Sequence, residues 1–167
     1  MQHLSTDATG IYVDAPPEAV YALVADVTRT PEYSPEIRRC TWLDGATGPV
    51  VGARFAAVNQ AGRGPAWTNK PVVVIADPGR EFAVRRTEKF SGTLTWRYRL
   101  SPEGSGTRVE QSYEVDEPLT RFGWFVIGTL YGCKDRRGEL QANMRTSLQR
   151  LKGLAESGSP QRQAAGS

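Results

Sequence analysis

Residues 119–154 read LTRFGWFVIGTLYGCKDRRGELQANMRTSLQRLKGL, and this stretch decides the fold. Apolar residues recur in it every three or four positions, with one skipped position at Arg137. Such spacing predicts one long amphipathic helix that faces a core. Pro118 after two acids marks its start, and Lys152 followed by Gly153 marks its end. The apolar stripe comprises Leu119, Phe122, Val126, Leu130, Cys133, Leu140, Met144, Leu148 and Leu151.

The two halves of this predicted helix differ in polarity. Residues 122–133 carry no charge, whereas charged residues are frequent from Lys134 onward. Four glycines lie in or near the apolar half: Gly123, Gly128, Gly132 and Gly138. Because each helical glycine costs about 1 kcal/mol relative to alanine, they need a reason. Either the helix packs closely on a sheet or kinks here, or this half roofs a cavity where small residues leave space.

The rest of the chain predicts one strand, two short helices and six further strands. Residues 7–14 form the first strand, and prolines followed by Glu18 begin a helix with a buried apolar face. Residues 28–35 are either a second short helix or a loop. The six further strands are expected at the spacing of an antiparallel meander: 37–43, 53–60, 67–76, 81–88, 93–100 and 107–115.

In the strands predicted at 93–100 and 107–115, mostly apolar or aromatic residues alternate with polar ones. Period-two alternation means that one face of the sheet is covered and the other is wet. The covered face must meet the long helix, so a curved sheet is expected to be the partner of that helix. The covered faces comprise Leu94, Trp96, Tyr98 and Leu100 in one strand, and Val109, Gln111, Tyr113 and Val115 in the other.

Length and composition indicate a single globular domain. The chain has 167 residues, and we expect a loose N-terminus at 1–6, one domain at 7–155 and a disordered tail at 156–167. The net charge of +3 is scattered, without a basic patch interleaved with aromatic residues, so nucleic-acid binding is not expected. No charged-then-apolar leader opens the sequence, which predicts a cytoplasmic protein.

Few residues are suited to metal binding or nucleophilic catalysis. The single histidine, His3, excludes a His-rich metal site and argues against a Ser-His-Asp triad. Cys40 and Cys133 form no CxxC pair and are expected to be small buried hydrophobes. We therefore predict neither a metal nor a cofactor.

Six short motifs in a fixed order carry a family resemblance. They are VDAPPEAVYALVADV at 13–27, PEYSP at 31–35, CTWLDG at 40–45, GARF at 52–55, DPGREF at 77–82 and LQRLK at 148–152. Together with the order of elements, they resemble the START-like superfamily, also called helix-grip or Bet v 1-like. Within it, the chain is similar to bacterial polyketide cyclase/dehydrase-type proteins of the SRPBCC group. The resemblance covers residues 7 to about 155.

The resemblance implies an α+β helix-grip fold. In that fold a seven-stranded curved antiparallel sheet wraps around a long C-terminal helix, two short helices follow strand 1, and a hydrophobic cavity lies between sheet and helix. Members of the superfamily bind or transport lipids, hormones and polyketides, and some catalyse cyclisation, dehydration or ring hydroxylation. None of the six motifs is a catalytic signature.

Residues expected on the inner face are the candidates for ligand binding. Trp96 and Tyr98 are either core fillers or ligand contacts, and buried amides must in any case be satisfied. Arg86 either lies in solvent at a sheet edge or points into the cavity. A buried cation would need a ligand carboxylate, enolate or phenolate, or a partner such as Glu88 or Glu114. The candidates are Asn59, Trp67, Asn69, Arg86, Trp96, Tyr98, Gln111, Tyr113, Phe122, Val126, Leu130 and Arg137, the last of which either snorkels to water or points inward.

Three functions stay open. The first is binding or carrying a hydrophobic small molecule such as a lipid or polyketide-like compound. The second is a polyketide cyclase, aromatase or dehydrase, in which Tyr98, Tyr113 and an arginine would stabilise an enolate. The third is an interaction module that forms a homodimer or touches a membrane without stable insertion, through Trp124, Phe125, Ile127 and Tyr131.

Overall fold

Antiparallel β-structure and a C-terminal helix give this protein an α+β architecture. The computed structural model describes residues 4, 6–62, 64–89, 92–132 and 134–158. In chain order the elements are β1 Thr6–Val13, α1 Pro17–Ala25, a 3₁₀ helix Val27–Glu32, β2 Ile37–Trp42, β3 Phe55–Asn59, β4 Trp67–Asn69, β5 Val72–Asp77, β6 Glu81–Glu88, β7 Gly92–Glu103, β8 Gly106–Glu117, α2 Arg121–Leu130 and α3 Arg136–Ser157.

The strands form a five-stranded sheet in the order β1-β8-β7-β6-β5 and a three-stranded sheet in the order β2-β3-β4. The expected count of seven strands in one sheet is therefore wrong. Pro71 has no N–H to donate and interrupts the strand predicted at 67–76, which splits into β4 and β5. The two sheets stay joined because Gly52 N donates to Val73 O and Val73 N donates to Ala53 O, both at 2.8 Å.

The two short helices after β1 are confirmed. α1 begins at a proline, as its sequence predicts, and buries Val20, Leu23 and Val24. The segment 28–35, expected as a helix or a loop, overlaps the 3₁₀ helix, whose first turn is capped by the Asp26 side chain accepting from Thr28 N. α1 lies against β6, β7 and β8, and the 3₁₀ helix lies against β2.

The prediction of one unbroken helix over residues 119–154 is wrong, because α2 and α3 are separate. Gly132 has φ +60°, a left-handed conformation that ends helices and favours glycine. Asp135 then caps α3 by accepting from Gly138 N at 3.0 Å. A second cap, Thr120 accepting from Gly123 N, starts α2.

The predicted apolar stripe is confirmed in α3 and only partly in α2. Leu148 and Leu151 are buried in the main core with α1, and Leu140 and Met144 pack with Leu94 and Tyr113 in a second cluster. In α2, by contrast, Phe122 and Leu130 expose 56% and 58% of their surface, so their predicted burial is wrong. Cys133 lies outside the described residues. Within the described chain, no helix is both long enough and apolar enough to span a bilayer.

Candidate functional site

The inner face of the five-stranded sheet presents three rows of side chains. Directly paired residues of neighbouring strands share a face. The alternation predicted for β7 and β8 places the expected residues here, with Tyr113 and Gln111 buried and Trp96 and Tyr98 half-buried. The rows are Phe82–Tyr98–Gln111, Val84–Trp96–Tyr113 and Arg86–Leu94–Val115.

Tyr98, in the row with Phe82 and Gln111, pairs with Tyr33. Tyr33 follows the 3₁₀ helix and is only 1% exposed, and its side chain hydrogen-bonds to that of Tyr98. Burial is the main cause that raises the pKa of Tyr98 well above its ordinary value, and the charge and hydrogen bond of Tyr33 add to it. Burial also raises the pKa of Tyr33. Both hydroxyls are therefore protonated at neutral pH.

Tyr98 and Arg86 are both partly accessible side chains of the inner face. Tyr98 keeps accessible surface, yet burial dominates the pKa of its hydroxyl. The Arg86 side chain is 18% exposed, yet burial is the main cause that lowers the pKa of its guanidinium. Both side chains are therefore largely desolvated while keeping some accessible surface.

Two ion pairs form a polar end of this inner wall. Arg86 Nη1 lies 3.2 Å from Glu88 Oε2, as the sequence anticipated for a buried Arg86. Arg136 Nη2 lies 3.1 Å from Glu36 Oε1, and both side chains are about 15% exposed. Asn143 Nδ2 also donates to Glu36, at 3.0 Å. Arg136 and Glu36 both influence the pKa of Arg86, which places the two pairs next to each other.

Buried oxygens without a hydrogen-bond partner among the described residues include Glu88 Oε1 and Gln111 Oε1 on the wall, and Asn69 Oδ1 on the three-stranded sheet. Asn69 and Gln111 are 8% and 7% exposed, so bulk water does not satisfy them freely. Buried polar atoms are nearly always paired in folded proteins. These acceptors therefore call for a donor, which an ordered water or a bound molecule supplies.

The structure brings some of the predicted candidates together and separates others. Arg86, Trp96, Tyr98, Gln111 and Tyr113 share one wall.

The candidates Asn59, Asn69 and Trp67 lie on the three-stranded sheet. Asn59 Nδ2 donates to Ala57 O at 3.0 Å. Arg137 is 57% exposed and pairs with Asp7 at 3.4 Å, so it lies at the surface and does not point inward. Ligand binding by any of these residues stays a prediction.

α2 carries the remaining candidates and forms a rim. Of its ten described residues, Gly123 alone is buried, while Phe122, Phe125 and Leu130 are 56–66% exposed. Val126 is half-buried. Tyr131 lies just beyond the C-terminal end of α2, and its ring packs edge-on against that of Trp67 in β4. The two ring centroids are 5.2 Å apart, and this contact connects the rim to β4. α2 thus leaves most of its apolar side chains exposed, and both interpretations of its glycines stay predictions.

Sequence reasoning missed Tyr33 and Glu36. The one signal for Tyr33 was its place between Pro31 and Pro35, which restrict the backbone around it. Glu36 had no local signal, because its partner Arg136 is a hundred residues away in the chain.

Two grooves on the opposite, outer face of the five-stranded sheet are polar and unlike this wall. They enclose about 290 and 460 Å³ and are lined largely by charged residues and threonines, among them Arg97, Glu110 and Asp116. In the described part of the chain, no group of three or more His, Cys, Asp and Glu side chains is placed to hold a metal ion.

Solved structures share this fold. The di-domain ARO/CYC StfQ from the steffimycin biosynthetic pathway superposes with a TM-score of 0.73 at 19% identity, over 92% of this chain and 51% of that one. Protein CV1439 from Chromobacterium violaceum gives 0.68 at 17% identity, over 92% and 99% of the two chains. Ara h 8.0201 gives 0.64 at 12% identity, over 92% and 98%.

The sequence comparisons define the family. No curated protein matches this chain significantly. Residues 3–156 match the family described as polyketide cyclase/dehydrase and lipid transport. That match spans nearly all of the described residues, including the sheet and both C-terminal helices. This protein belongs to the polyketide cyclase/dehydrase and lipid transport family.

Proposed function

We propose that this protein binds a hydrophobic small molecule, such as a lipid or polyketide-like compound, between the five-stranded sheet and the C-terminal helices. The observation that carries the proposal is the state of Tyr98 and Arg86, which are desolvated but keep accessible surface. A fully packed core would leave such side chains no accessible area. The description of the family, which includes lipid transport, supports the same class of ligand.

The wall suits a molecule that is mostly apolar and carries few polar groups. Trp96, Val84 and Tyr113 form its central row, and the Trp96 and Tyr113 rings lie 5.3 Å apart. Polar groups are few and lie on either side of this row, at Gln111 on one side and at the Arg86–Glu88 pair on the other. Ligand sites commonly combine an apolar lining with a few polar groups that fix orientation.

Binding is tested with the neutral apolar dye N-phenyl-1-naphthylamine, whose fluorescence rises in apolar surroundings. Val84→Trp adds an indole to the centre of the inner wall, whereas Thr87→Trp adds the same group on the outward face of β6, where Thr87 is exposed. We expect saturable dye binding to the wild type and to Thr87→Trp, and a loss of at least tenfold in affinity in Val84→Trp. Equal binding by both variants, or no binding by the wild type, would contradict the proposal.

A second candidate is catalysis of polyketide cyclisation or dehydration in the same space. The observation that favours it is the protonated Tyr33–Tyr98 pair, because two such hydroxyls can donate to a developing enolate. Incubation with a synthetic linear tetraketide thioester tests it: cyclisation forms a carbon–carbon bond, and dehydration then releases one water, which mass spectrometry detects. Catalysis predicts a slower reaction in Tyr98→Phe with dye binding retained. An identical rate in both proteins would refute it.

A further inference from the structure

We infer that the ligand is a neutral apolar molecule that carries a hydroxyl, and that the side-chain oxygen of Gln111 accepts the hydrogen bond from that hydroxyl. The inference rests on the proposed binding function and specifies its ligand chemistry. It follows from which polar atoms of the inner wall are already paired and which are not.

The unpaired buried side-chain atoms of the described residues are all acceptors. Gln111 Oε1 and Asn69 Oδ1 belong to side chains that are more than nine-tenths buried. Glu88 Oε1 is also unpaired among the described residues, while the other carboxylate oxygen of Glu88 faces Arg86. A carboxylate oxygen of an ionised glutamate can accept hydrogen bonds and cannot donate them. These positions therefore call for a donor on the bound molecule.

Several donors near these acceptors are engaged within the protein. The Tyr98 and Tyr33 side chains hydrogen-bond to each other, and Asn143 donates to Glu36. Asn59 donates its amide to the backbone of β3. A ligand that offers only acceptors, such as an ether or a ketone, would have to compete with these existing bonds.

The charges of the polar end are already matched. Arg86 faces Glu88, and Arg136 faces Glu36, so two cations meet two anions. A carboxylate ligand would bring an uncompensated negative charge into a poorly solvated space, which is costly. Arg86 keeps further N–H groups, but its charge is balanced, and this favours a neutral ligand over an anionic one.

Gln111 is the acceptor best placed for a ligand on the aromatic wall. It lies directly across from Tyr98, and the neighbouring pair along the two strands on the same face is Trp96 with Tyr113. A ring packed on Trp96 would thus have a hydroxyl-accepting oxygen in the next row.

Three probes with one naphthalene skeleton test the inference by isothermal titration calorimetry at pH 7. 2-Naphthol offers a neutral hydroxyl donor, 2-methoxynaphthalene offers only an acceptor, and 2-naphthoate offers an anion. We expect 2-naphthol to bind about tenfold more tightly than the ether, since a buried polar group left unpaired costs that order of affinity. We expect 2-naphthoate to bind most weakly.

Gln111→Met keeps the side-chain length but removes the accepting oxygen. We expect it to abolish the preference for 2-naphthol over 2-methoxynaphthalene, while Gln149→Met on the exposed face of α3 preserves it. Thermal melts establish that each variant folds. If Gln111→Met does not fold, Gln111→Leu, which also lacks the accepting oxygen, must abolish the same preference.

Each outcome decides between the claims. Equal binding of the three probes, or tightest binding of 2-naphthoate, would overturn the inference and leave the proposed binding function standing. A preference for 2-naphthol that survives in folded Gln111→Met would overturn the role of Gln111. If no probe binds and N-phenyl-1-naphthylamine also fails to bind, both the inference and the proposed function are overturned.

Discussion

Replacing Glu36 by glutamine should destabilise the fold more than any comparable change to a surface ion pair. Glu36 precedes β2, and its carboxylate accepts two hydrogen bonds from Arg136 in the first turn of α3, at 3.1 and 3.5 Å. Both side chains are about 15% exposed. The pair joins segments that lie a hundred residues apart, and it holds the start of α3 just beyond the rim formed by α2.

The expected cost follows from the geometry. Two unit charges at 3.1 Å attract by about 5 kcal/mol at an effective dielectric constant of 20. Desolvation of the pair offsets much of this gain, and removing one partner of a buried pair typically costs about 3–5 kcal/mol. Here Arg136 keeps Glu139 at 3.3 Å, and glutamine can still accept from Asn143. We therefore expect Glu36→Gln to lower the free energy of unfolding by about 2–3 kcal/mol.

The chain offers a matched control in the Arg29–Glu32 pair. That pair is also bidentate, at 2.7 and 3.0 Å, but its side chains are 44% and 41% exposed. Glu32→Gln should cost only about 0.5 kcal/mol, because exposed pairs are screened by water. Urea denaturation followed by far-ultraviolet circular dichroism measures both values. Equal costs for the two variants would refute the claim that the Glu36–Arg136 pair is a buried clamp.

Further predictions concern a turn, a thiol and the rim. Gly92 has φ +72° and its Cβ would strike the end of β8, so Gly92→Ala should cost roughly 3 kcal/mol in urea denaturation. Gly104→Ala, at φ +57° in open space, should cost only about 1 kcal/mol. Burial raises the pKa of Cys40 to about 11. In a Cys133→Ser background, its thiol should therefore resist iodoacetamide at pH 8 and react only after unfolding. Rapid labelling of the native protein would contradict this. Tyr131→Ala should speed proteolysis within 119–135 while Tyr131→Phe should not, because the ring contact ties down the rim; equal cleavage of the two would count against that tie.

The fold could be predicted where the spacing of apolar residues along one element showed which of its faces is buried. The alternation in β7 and β8 identified the inner wall, and the apolar stripe at Leu140, Met144, Leu148 and Leu151 identified α3. The break between α2 and α3 was missed because the stripe runs on through Gly132 at helical spacing. The cap at Asp135 was visible in the sequence but was counted as part of the outer face of the helix.

The site was less predictable, because its pairings connect distant segments. Arg86 and Glu88 are two residues apart on one strand and share a face, so their pairing could be anticipated from the sequence. The Glu36–Arg136 and Tyr33–Tyr98 pairs depend on how the short helices fold over the sheet, which no periodicity encodes. Arg137 was placed in the buried stripe by spacing alone, but the separate start of α3 rotates it toward Asp7 at the surface.

The central claim is that the inner wall of the five-stranded sheet lines a space that admits an apolar ligand. A crystal structure of the protein grown with saturating 2-naphthol tests it directly. We predict density for the ring against Trp96 and Tyr98, with its hydroxyl within hydrogen-bond distance of Gln111 Oε1. An interior packed solid with side chains, with naphthol absent or bound only on the outer face, would contradict the account.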